Sequence, residues 1–234
     1  MATQARANGP GTARATDVRR PLNRHRVLDA ALAYVDEYGL AALTMRRLGT
    51  ELGVEGMSLY RHIADKEALL DGIVEHLWAE VPTPTNPHVG WRRALRELAW
   101  GLLEVFRRHP KSAPLIVLRE FVNYQSLRCY DAYLKVLQRT GFDRRGGIDA
   151  IGAVVGHTLG YGLLELRYLG PNPETSGSAS DMQQIRRVTD LLPADVPDAL
   201  VQLAIELTAE CDHDRCFAVT VDALLNGLAP RPSR

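Results

Sequence analysis

The residues whose types best suit chemistry lie in one short stretch of the chain. Arg46, Arg61 and Lys66 carry positive charge, and Thr44 and Tyr60 carry hydroxyl groups. Arginine can bind guanine edges or phosphate, hydroxyl groups can hydrogen bond to phosphate, and lysine supplies charge. The set therefore suits recognition of nucleic acid.

The sequence around these residues predicts two short helices joined by a tight turn. Thr44 has the side chain of a helix N-cap, because its hydroxyl can accept a hydrogen bond from a free backbone N–H. Leu48 and Leu52 form one apolar face, and Gly49 between them lets another helix come close. Gly53 suits the left-handed conformation that ends a helix.

The second short helix completes a helix-turn-helix pattern. Glu55 is expected to cap this helix and Leu59 to be buried beneath it. The second helix of such a unit enters the DNA major groove. The alternative is a buried helical hairpin without a ligand, which gives the cationic side chains no purpose.

The run LTMRRLGTELGVEGMSLYRHIADKEALL resembles the DNA-binding domain of the TetR family of bacterial repressors. The similarity lies at Leu43-Thr44, Leu48, Leu52-Gly53-Val54, Leu59-Tyr60, His62, Lys66 and Leu69-Leu70. It implies DNA contacts by Thr44, Arg46, Glu55, Gly56, Met57, Ser58, Tyr60, His62 and Lys66, to which we add Arg61 for its charge.

The charge of the chain is unevenly placed. The 234 residues carry a formal net charge of zero, whereas residues 1–26 hold six arginines against one acid, Asp17. We interpret residues 1–20 as a disordered basic tail, since they contain almost no large apolar residue. Such a tail attracts phosphate, although it can also be a merely solvated segment.

The sequence predicts an all-α protein in the cytoplasm. Three sparse cysteines give no disulfide framework, and the N-terminus has no apolar signal sequence. The stretch 148–166 is the most apolar, but it contains Asp149, His157 and Glu165 and so predicts a buried helix. No strand pattern is present. A three-helix helix-turn-helix head should be linked by a fourth helix to a helical ligand-binding and dimerisation domain.

The predicted domains are residues 21–80, with the linking helix, and residues 88–230. Asp65 should cap the linking helix at 66–80. Three prolines within residues 81–87 should prevent a helix there and give a loop. Further helices are predicted at 91–108, from 123 to about 141, and at 148–169, 196–209 and 215–228, and residues 115–118 form a short apolar segment. In the second domain, AVVGHTLGYGLLE resembles the ligand-binding domain of the tetracycline-repressor subgroup.

This resemblance implies a homodimer held by a four-helix bundle. Gly152, Gly156 and Gly160 form a ridge on the long helix, which is costly for helix stability unless another helix approaches closely. The last helix should join the bundle. The predicted dimer interface consists of Gly152, Gly156, Gly160, Phe217, Val221, Leu224 and Leu225.

The effector site is expected to differ from that of the tetracycline repressors. The subgroup holds a magnesium–tetracycline complex with a histidine and an acidic residue; here residues 113–118 contain no histidine, and Leu164 stands at the acidic position, with Glu165 beside it. We therefore expect an apolar pocket for a small hydrophobic effector, without cofactor or metal. Its predicted lining is Leu98, Leu102, Phe106, Ile116, Arg119, Tyr133, His157 and Tyr161. Each apolar member could equally be plain core, and His157 a satisfied core histidine.

The sequence contains none of the common motifs of hydrolases, nucleotide-binding enzymes and zinc proteases. The sequence has no Gly-x-Ser-x-Gly, no phosphate-cradling glycine loop and no His-Glu-x-x-His. Cys211, His213, Asp214 and Cys216 cluster, but zinc motifs need a second pair of ligands elsewhere. The sequence predicts a ligand-responsive repressor acting as a homodimer on a near-palindromic operator. The alternatives are a DNA-binding regulator controlled by a protein partner and a helical enzyme or ligand carrier.

Overall fold

The computed structural model describes residues 21–86, 88–119, 122–169, 186, 190, 192, 193, 195–209 and 212–230. Within these residues all regular structure is helical, which confirms the predicted all-α class. The helices are α1 (Arg24–Tyr38), a 3-10 turn (Leu40–Ala42), α2 (Met45–Glu51), α3 (Gly56–Leu59), α4 (Lys66–Glu80), α5 (Trp91–Arg108), α6 (Leu115–Leu118), α7 (Tyr124–Arg139), α8 (Arg144–Leu169), α9 (Asp198–Ala209) and α10 (His213–Gly227).

The chain divides into two compact units between Leu69 and Leu70, inside α4. The sequence-based limits give the whole of α4 to the first domain, and those limits stay a prediction. The predicted tail, residues 1–20, lies outside the described residues.

In the first unit, α1 supplies the buried face for the helices that follow. The Asn23 side chain accepts a hydrogen bond from the Arg26 backbone N–H at 2.9 Å and starts the helix. Gly39 ends it with a φ of 82°, which a residue with a side chain rarely adopts. The buried residues of α1 are Val27, Leu28, Ala31, Leu32 and Val35.

The second unit is built around α5 and α8, which pack on each other, with α7 and α10 packing against α8. By length and composition alone, the segment Arg144–Leu166 could cross a membrane. In the structure it instead packs on α5, α7 and α10, and Glu165 is buried near its end. These contacts bury one side of the helix.

Helices α8 and α10 begin earlier than the sequence predicts. Helix α8 starts at Arg144 rather than 148 because Asp143 Oδ1 accepts from the Gly146 N–H at 2.6 Å. Gly147 lies so close to Leu134 that a Cβ would contact its side chain, and this packing fixes the first turn. Helix α10 starts at His213, where the preceding Asp212 caps it.

Candidate nucleic-acid interface and ligand region

Helices α2 and α3 take the local geometry that their sequence predicts. The Arg47 backbone N–H donates to Thr44 Oγ1 at 3.2 Å, which confirms Thr44 as the N-cap of α2. Gly53 turns the chain with a φ of 68°, and Leu59 of α3 is completely buried. The helix-turn-helix is therefore formed as predicted.

Two glycines bring the backbones of α2 and α3 into direct contact. A Cβ built on Gly49 would lie 2.9 Å from the Gly56 Cα, the Gly56 nitrogen and the Val54 oxygen. A Cβ on Gly56 would lie 3.3 Å from the Arg46 Cα and the Met45 oxygen. Because backbone atoms cannot move aside cheaply, this contact sets how α3 is presented.

One predicted cap is wrong in its detail. Glu55 occupies the N-cap position of α3, but its side chain makes no capping hydrogen bond. The carboxylate is exposed rather than folded back onto the helix start. The Glu side chain is longer than those of the preferred capping residues Ser, Thr, Asp and Asn, which place an oxygen beside the first free backbone N–H groups.

The predicted DNA-contacting residues form a largely exposed set within the first unit. Met57 is 74% exposed and Tyr60 44%. The other members divide into exposed side chains (Thr44, Arg46, Glu55, Arg61 and Lys66) and half-buried ones (Gly56, Ser58 and His62).

The three cations of this set are available to an external anion. Among the described residues, the side chains of Arg46, Arg61 and Lys66 have no hydrogen bond or ion pair. The neighbouring Arg47 differs, because its Nη1 donates to the Ala42 carbonyl at 3.1 Å. The arrangement can bind phosphate oxygens and base edges without first breaking internal contacts.

Helix α4 begins as predicted. The Ala68 backbone N–H donates to Asp65 Oδ1 at 2.7 Å, so Asp65 is its cap. Glu67 stands in the first turn, where an acid is favourable, and Lys66 is exposed.

The predicted effector-lining residues of the second unit fall into two groups. Five are buried almost completely: Leu98, Leu102, Phe106, Ile116 and Tyr133. Phe106 packs directly on Gly162 of α8. Arg119 is tied down by an ion pair, with its Nε donating to Asp71 Oδ1 at 2.6 Å.

His157 and Tyr161 belong to an aromatic cluster between α5, α8 and α10. The His157 ring stacks on Phe217 with centroids 5.8 Å apart, and Trp100 meets Phe217 edge-on at 4.8 Å. His157 Nε2 is hydrogen bonded to Thr220 Oγ1 at 3.0 Å, and the Tyr161 hydroxyl donates to a backbone oxygen of α10 at 2.7 Å. Partial burial lowers the pKa of His157 below its ordinary value. These bonds engage one ring nitrogen of His157 and the hydroxyl group of Tyr161 within the chain.

Sequence reasoning missed an ionic cluster beside this aromatic one. Arg107 Nε and Nη2 donate to Glu165 Oε1 at 3.0 and 2.7 Å, and Nη2 also donates to Asp214 Oδ1 at 2.6 Å. Although burial lowers it, the bonds to Glu165 and Asp214 raise the pKa of Arg107. Glu165 is only 4% exposed, and its Oε2 has no partner in the described part of the chain. One guanidinium thus joins α5, α8 and α10.

The predicted dimer interface stays a prediction, and its residues differ in how far their own chain buries them. Phe217, Val221 and Leu225 are buried within their own protomer, so a second copy cannot bury them further. Leu224 is half-buried. The glycine ridge differs, because a Cβ on Gly152, Gly156 or Gly160 would meet no atom within 4 Å.

Comparison with known protein families follows the same division of the chain. Residues 27–73 match the description "Bacterial regulatory proteins, tetR family", and residues 83–231 match "Tetracyclin repressor-like, C-terminal domain". The chain belongs to the TetR family. The first match contains all the predicted DNA-contacting residues, and the second contains all the predicted effector and dimer residues of this TetR-family chain.

Individual TetR-family relatives agree with this assignment. The class D tetracycline repressor of Escherichia coli is 33% identical over 141 residues, which are 59% of this chain and 64% of that protein. The class A tetracycline repressor from transposon 1721 of Escherichia coli is 26% identical over 219 residues, which are 90% of this chain and 92% of that protein. The solved Streptomyces coelicolor ActR, in complex with (S)-DNPA, is 25% identical with a TM-score of 0.68, covering 89% of this chain and 98% of ActR.

Proposed function

We propose that this chain is a DNA-binding transcriptional repressor that acts as a homodimer and leaves DNA when a small hydrophobic effector binds. The observation that carries the proposal is the exposed and internally unpaired set Arg46, Arg61 and Lys66 on a formed helix-turn-helix. Helix α3 would enter the major groove, the arginines would contact bases or phosphate, and Thr44 and Tyr60 would hydrogen bond to phosphate.

A duplex titration tests the DNA-binding part. The probe is fluorescent duplex carrying the sequence that flanks this protein's own gene, titrated at several salt concentrations. Tight binding that weakens with salt is expected. Arg46→Ala should weaken it about 5- to 150-fold, which is the range for a lost base contact of about 1–3 kcal/mol. Tyr60→Phe removes one phosphate bond and should have a smaller effect.

Arg93→Ala is the matched control, since Arg93 is an exposed arginine of the second unit. It should leave duplex affinity unchanged. An equal loss of duplex affinity in Arg46→Ala and Arg93→Ala would indicate unspecific attraction by positive charge rather than recognition by the helix-turn-helix. Absence of binding to the flanking sequence and to a randomised duplex pool would overturn the repressor proposal.

The dimer would form on the open face of α8. The ridge Gly152, Gly156 and Gly160 leaves room for a close helix, and Leu164 and Val219 are exposed large apolar residues of α8 and α10. A two-fold dimer of such reading heads would bind half-sites about one DNA turn apart, so the operator should be nearly palindromic.

Light scattering checks the dimer directly. The wild type should run at twice the chain mass at micromolar concentration. Gly156→Leu should give monomer because its side chain blocks the close approach, whereas Gly156→Ala should stay dimeric. A wild-type monomer, or a Gly156→Leu dimer of unchanged stability, would contradict this interface.

The effector would bind among the apolar residues between the helices of the second unit. Leu98, Leu102 and Phe106 are buried apolar side chains, so a ligand that separates these helices would meet an apolar lining. The ligand-bound ActR structure supports a small-molecule effector for this chain. An effector can drive release only through different affinities for the DNA-bound and free shapes.

A thermal-shift screen of apolar aromatic compounds tests this part. A hit should raise the melting temperature and lower duplex affinity, and tetracycline with Mg²⁺ should do neither. A screen in which every stabilising compound leaves duplex affinity unchanged, or in which Mg²⁺–tetracycline releases the duplex, would contradict the proposed effector.

Helix α4 is our candidate for transmitting the response, since the boundary between the units lies within it. Arg119, just after α6, is bonded to Asp71 of α4. Arg119→Gln should keep duplex affinity but lose the release by an effector from the screen. Retained release would exclude this ion pair from transmission.

A partner protein is the second candidate for the releasing agent. Five large apolar side chains from α6 and the start of α7 are exposed, namely Val117, Leu118, Val122, Tyr124 and Leu127. Such a patch is typical of an interaction surface. If it serves a partner, Leu118→Ser should leave release by a small molecule unchanged; impaired release would assign the patch to the effector route.

A further inference from the structure

The segment after α4 is fastened to two helices of the second unit. The Tyr133 hydroxyl of α7 donates to the Pro82 carbonyl at 2.8 Å. The Pro82 ring fills the space above Gly101 of α5, where any Cβ would overlap it. Val81 is buried. The segment therefore forms a fixed wall rather than a free loop.

A groove of about 400 Å³ lies between this wall and one face of α7. Pro84 and Thr85 line it from the wall, and Arg128, Asp131, Lys135 and Arg139 line it from the helix. Its volume lies within the range of small-molecule sites, about 300–1,000 Å³. The groove is built entirely from residues of the second unit.

Three cations share the groove face of α7. At about 100° per residue, Arg128, Lys135 and Arg139 lie within about 40° of one another around the helix axis and span about 16 Å along it. Lys135 and Arg139 are like charges four residues apart, a spacing that destabilises a helix. An external anion would remove that repulsion.

Internal acids neutralise these cations only in part. Within the described residues, Arg139 has no hydrogen bond or ion pair, and Arg128 has only the Tyr124 ring, 5.8 Å from its guanidinium carbon. Lys135 pairs with Asp131 at 2.6 Å, and Asp131 is the only carboxylate among the groove's lining residues. The groove thus carries a net positive charge in a chain whose formal net charge is zero.

We propose that this groove binds a small polyanion with three or more negative charges, of the polyphosphate or polycarboxylate class. Guanidinium groups bind phosphate and carboxylate oxygens in pairs, and the fixed wall lowers the cost of ordering the site. A volume of about 400 Å³ suits a small molecule, which is the occupant we assign to the groove. The site uses charged residues that neither the helix-turn-helix nor the apolar effector region contains.

Calorimetric titration of the full-length protein with inorganic tripolyphosphate tests the proposal. The wild type should bind one ion per chain at 50 mM NaCl, with affinity that falls as salt rises. Arg139→Gln should weaken binding about tenfold, the ordinary size of a lost charged hydrogen bond. Arg215→Gln, an equal charge change at an exposed site on α10, should change it less than twofold.

A second variant separates the groove from simple charge. Tyr133→Phe leaves every charge in place and removes the bond that holds the wall. It should weaken tripolyphosphate binding about threefold while circular dichroism remains that of the wild type.

Three results would overturn the proposal. One is no binding heat with millimolar tripolyphosphate at 50 mM NaCl. Another is an equal loss of affinity in Arg139→Gln and Arg215→Gln, which would mean unspecific charge attraction. The third is an equal loss of duplex and tripolyphosphate affinity in Arg139→Gln alone, which would make the groove part of a nucleic-acid surface.

Discussion

Arg46 and Arg61 of the first unit and Arg107 of the second unit have opposite surroundings. In the first unit, Arg46 and Arg61 are exposed and have no internal ionic partner among the described residues. In the second unit, Arg107 lies half-buried and binds Glu165 and Asp214 across three helices. The first unit instead brings α2 and α3 together through the backbones of Gly49 and Gly56.

This difference separates side chains that hold the fold from side chains left for a ligand. A cation engaged in an internal pair must lose that pair before it binds an external anion, whereas an exposed unpaired cation pays only its hydration. Packing α2 and α3 by glycine contact leaves Arg46 and Arg61 available for that role.

The largest effect is expected from removing the buried guanidinium. Arg107→Met leaves the carboxylate of Glu165 buried without a counter-charge, which should cost about 3–5 kcal/mol of unfolding free energy. Urea unfolding followed by tryptophan fluorescence measures this, since Trp100 lies beside the cluster. Arg107→Met with Glu165→Gln should recover most of the loss.

Arg108→Met is the matched control. Arg108 is more exposed and pairs with Glu80, so its loss should cost less than about 1 kcal/mol. An equal loss of unfolding free energy in Arg107→Met and Arg108→Met would show that the buried ion pair of Arg107 does not stabilise the fold more than an exposed one.

The next largest effect tests the glycine contact. Gly49→Ala places a methyl group against the Gly56 backbone, and overpacking of this kind costs about 1–3 kcal/mol. Duplex affinity should fall as well because α3 must shift. Gly152→Ala, where the methyl group meets no atom of its own chain, should not carry this overpacking cost within the protomer. A neutral Gly49→Ala would show that the close contact is not needed.

A smaller effect is expected at the cap of α2. Thr44→Ala removes the acceptor for the Arg47 N–H and should cost about 1 kcal/mol. Thr44→Asp should keep the cap and the thermal stability but weaken duplex binding through repulsion of phosphate. If Thr44→Asp binds duplex as well as the wild type, Thr44 is a structural cap and not a phosphate contact.

The smallest effect concerns pH. Burial lowers the pKa of His157 in the folded state, so the unfolded chain binds more protons as pH falls through the ordinary histidine range. The stability that neutral His157 contributes is present above that range and is lost at lower pH. Urea unfolding of wild type and His157→Asn at pH 7.5 and 5.5 should show the steeper loss in the wild type. Parallel losses would exclude His157.

Local signals accounted for much of the fold. The bounds of α4 and α5 and the caps Thr44 and Asp65 were predicted, because each depends on residues within one or two helical turns. The early start of α8 was missed because Gly146 and Gly147 are typical of a loop. Their compensation by the Asp143 cap and by packing on Leu134 is not visible in local propensity.

Contacts between residues far apart in the sequence could not be predicted. Arg107 and Glu165 are 58 residues apart, and helical periodicity shows which side of a helix faces inward but not what it meets. The same limit applies to the predicted dimer residues. Phe217 and Val221 lie on an apolar stripe, and a stripe alone does not distinguish cover by the same chain from cover by a second copy.

The backbone contact at Gly56 also limits which substitutions in α3 can change the DNA-sequence specificity of this protein. A side chain at this first position of α3 would have to displace the backbone of α2, so variation there disturbs the scaffold before it changes base preference. Met57, Tyr60 and Arg61 are exposed and carry no such constraint. A mutant library aimed at new operators should therefore keep both glycines fixed and diversify those three positions.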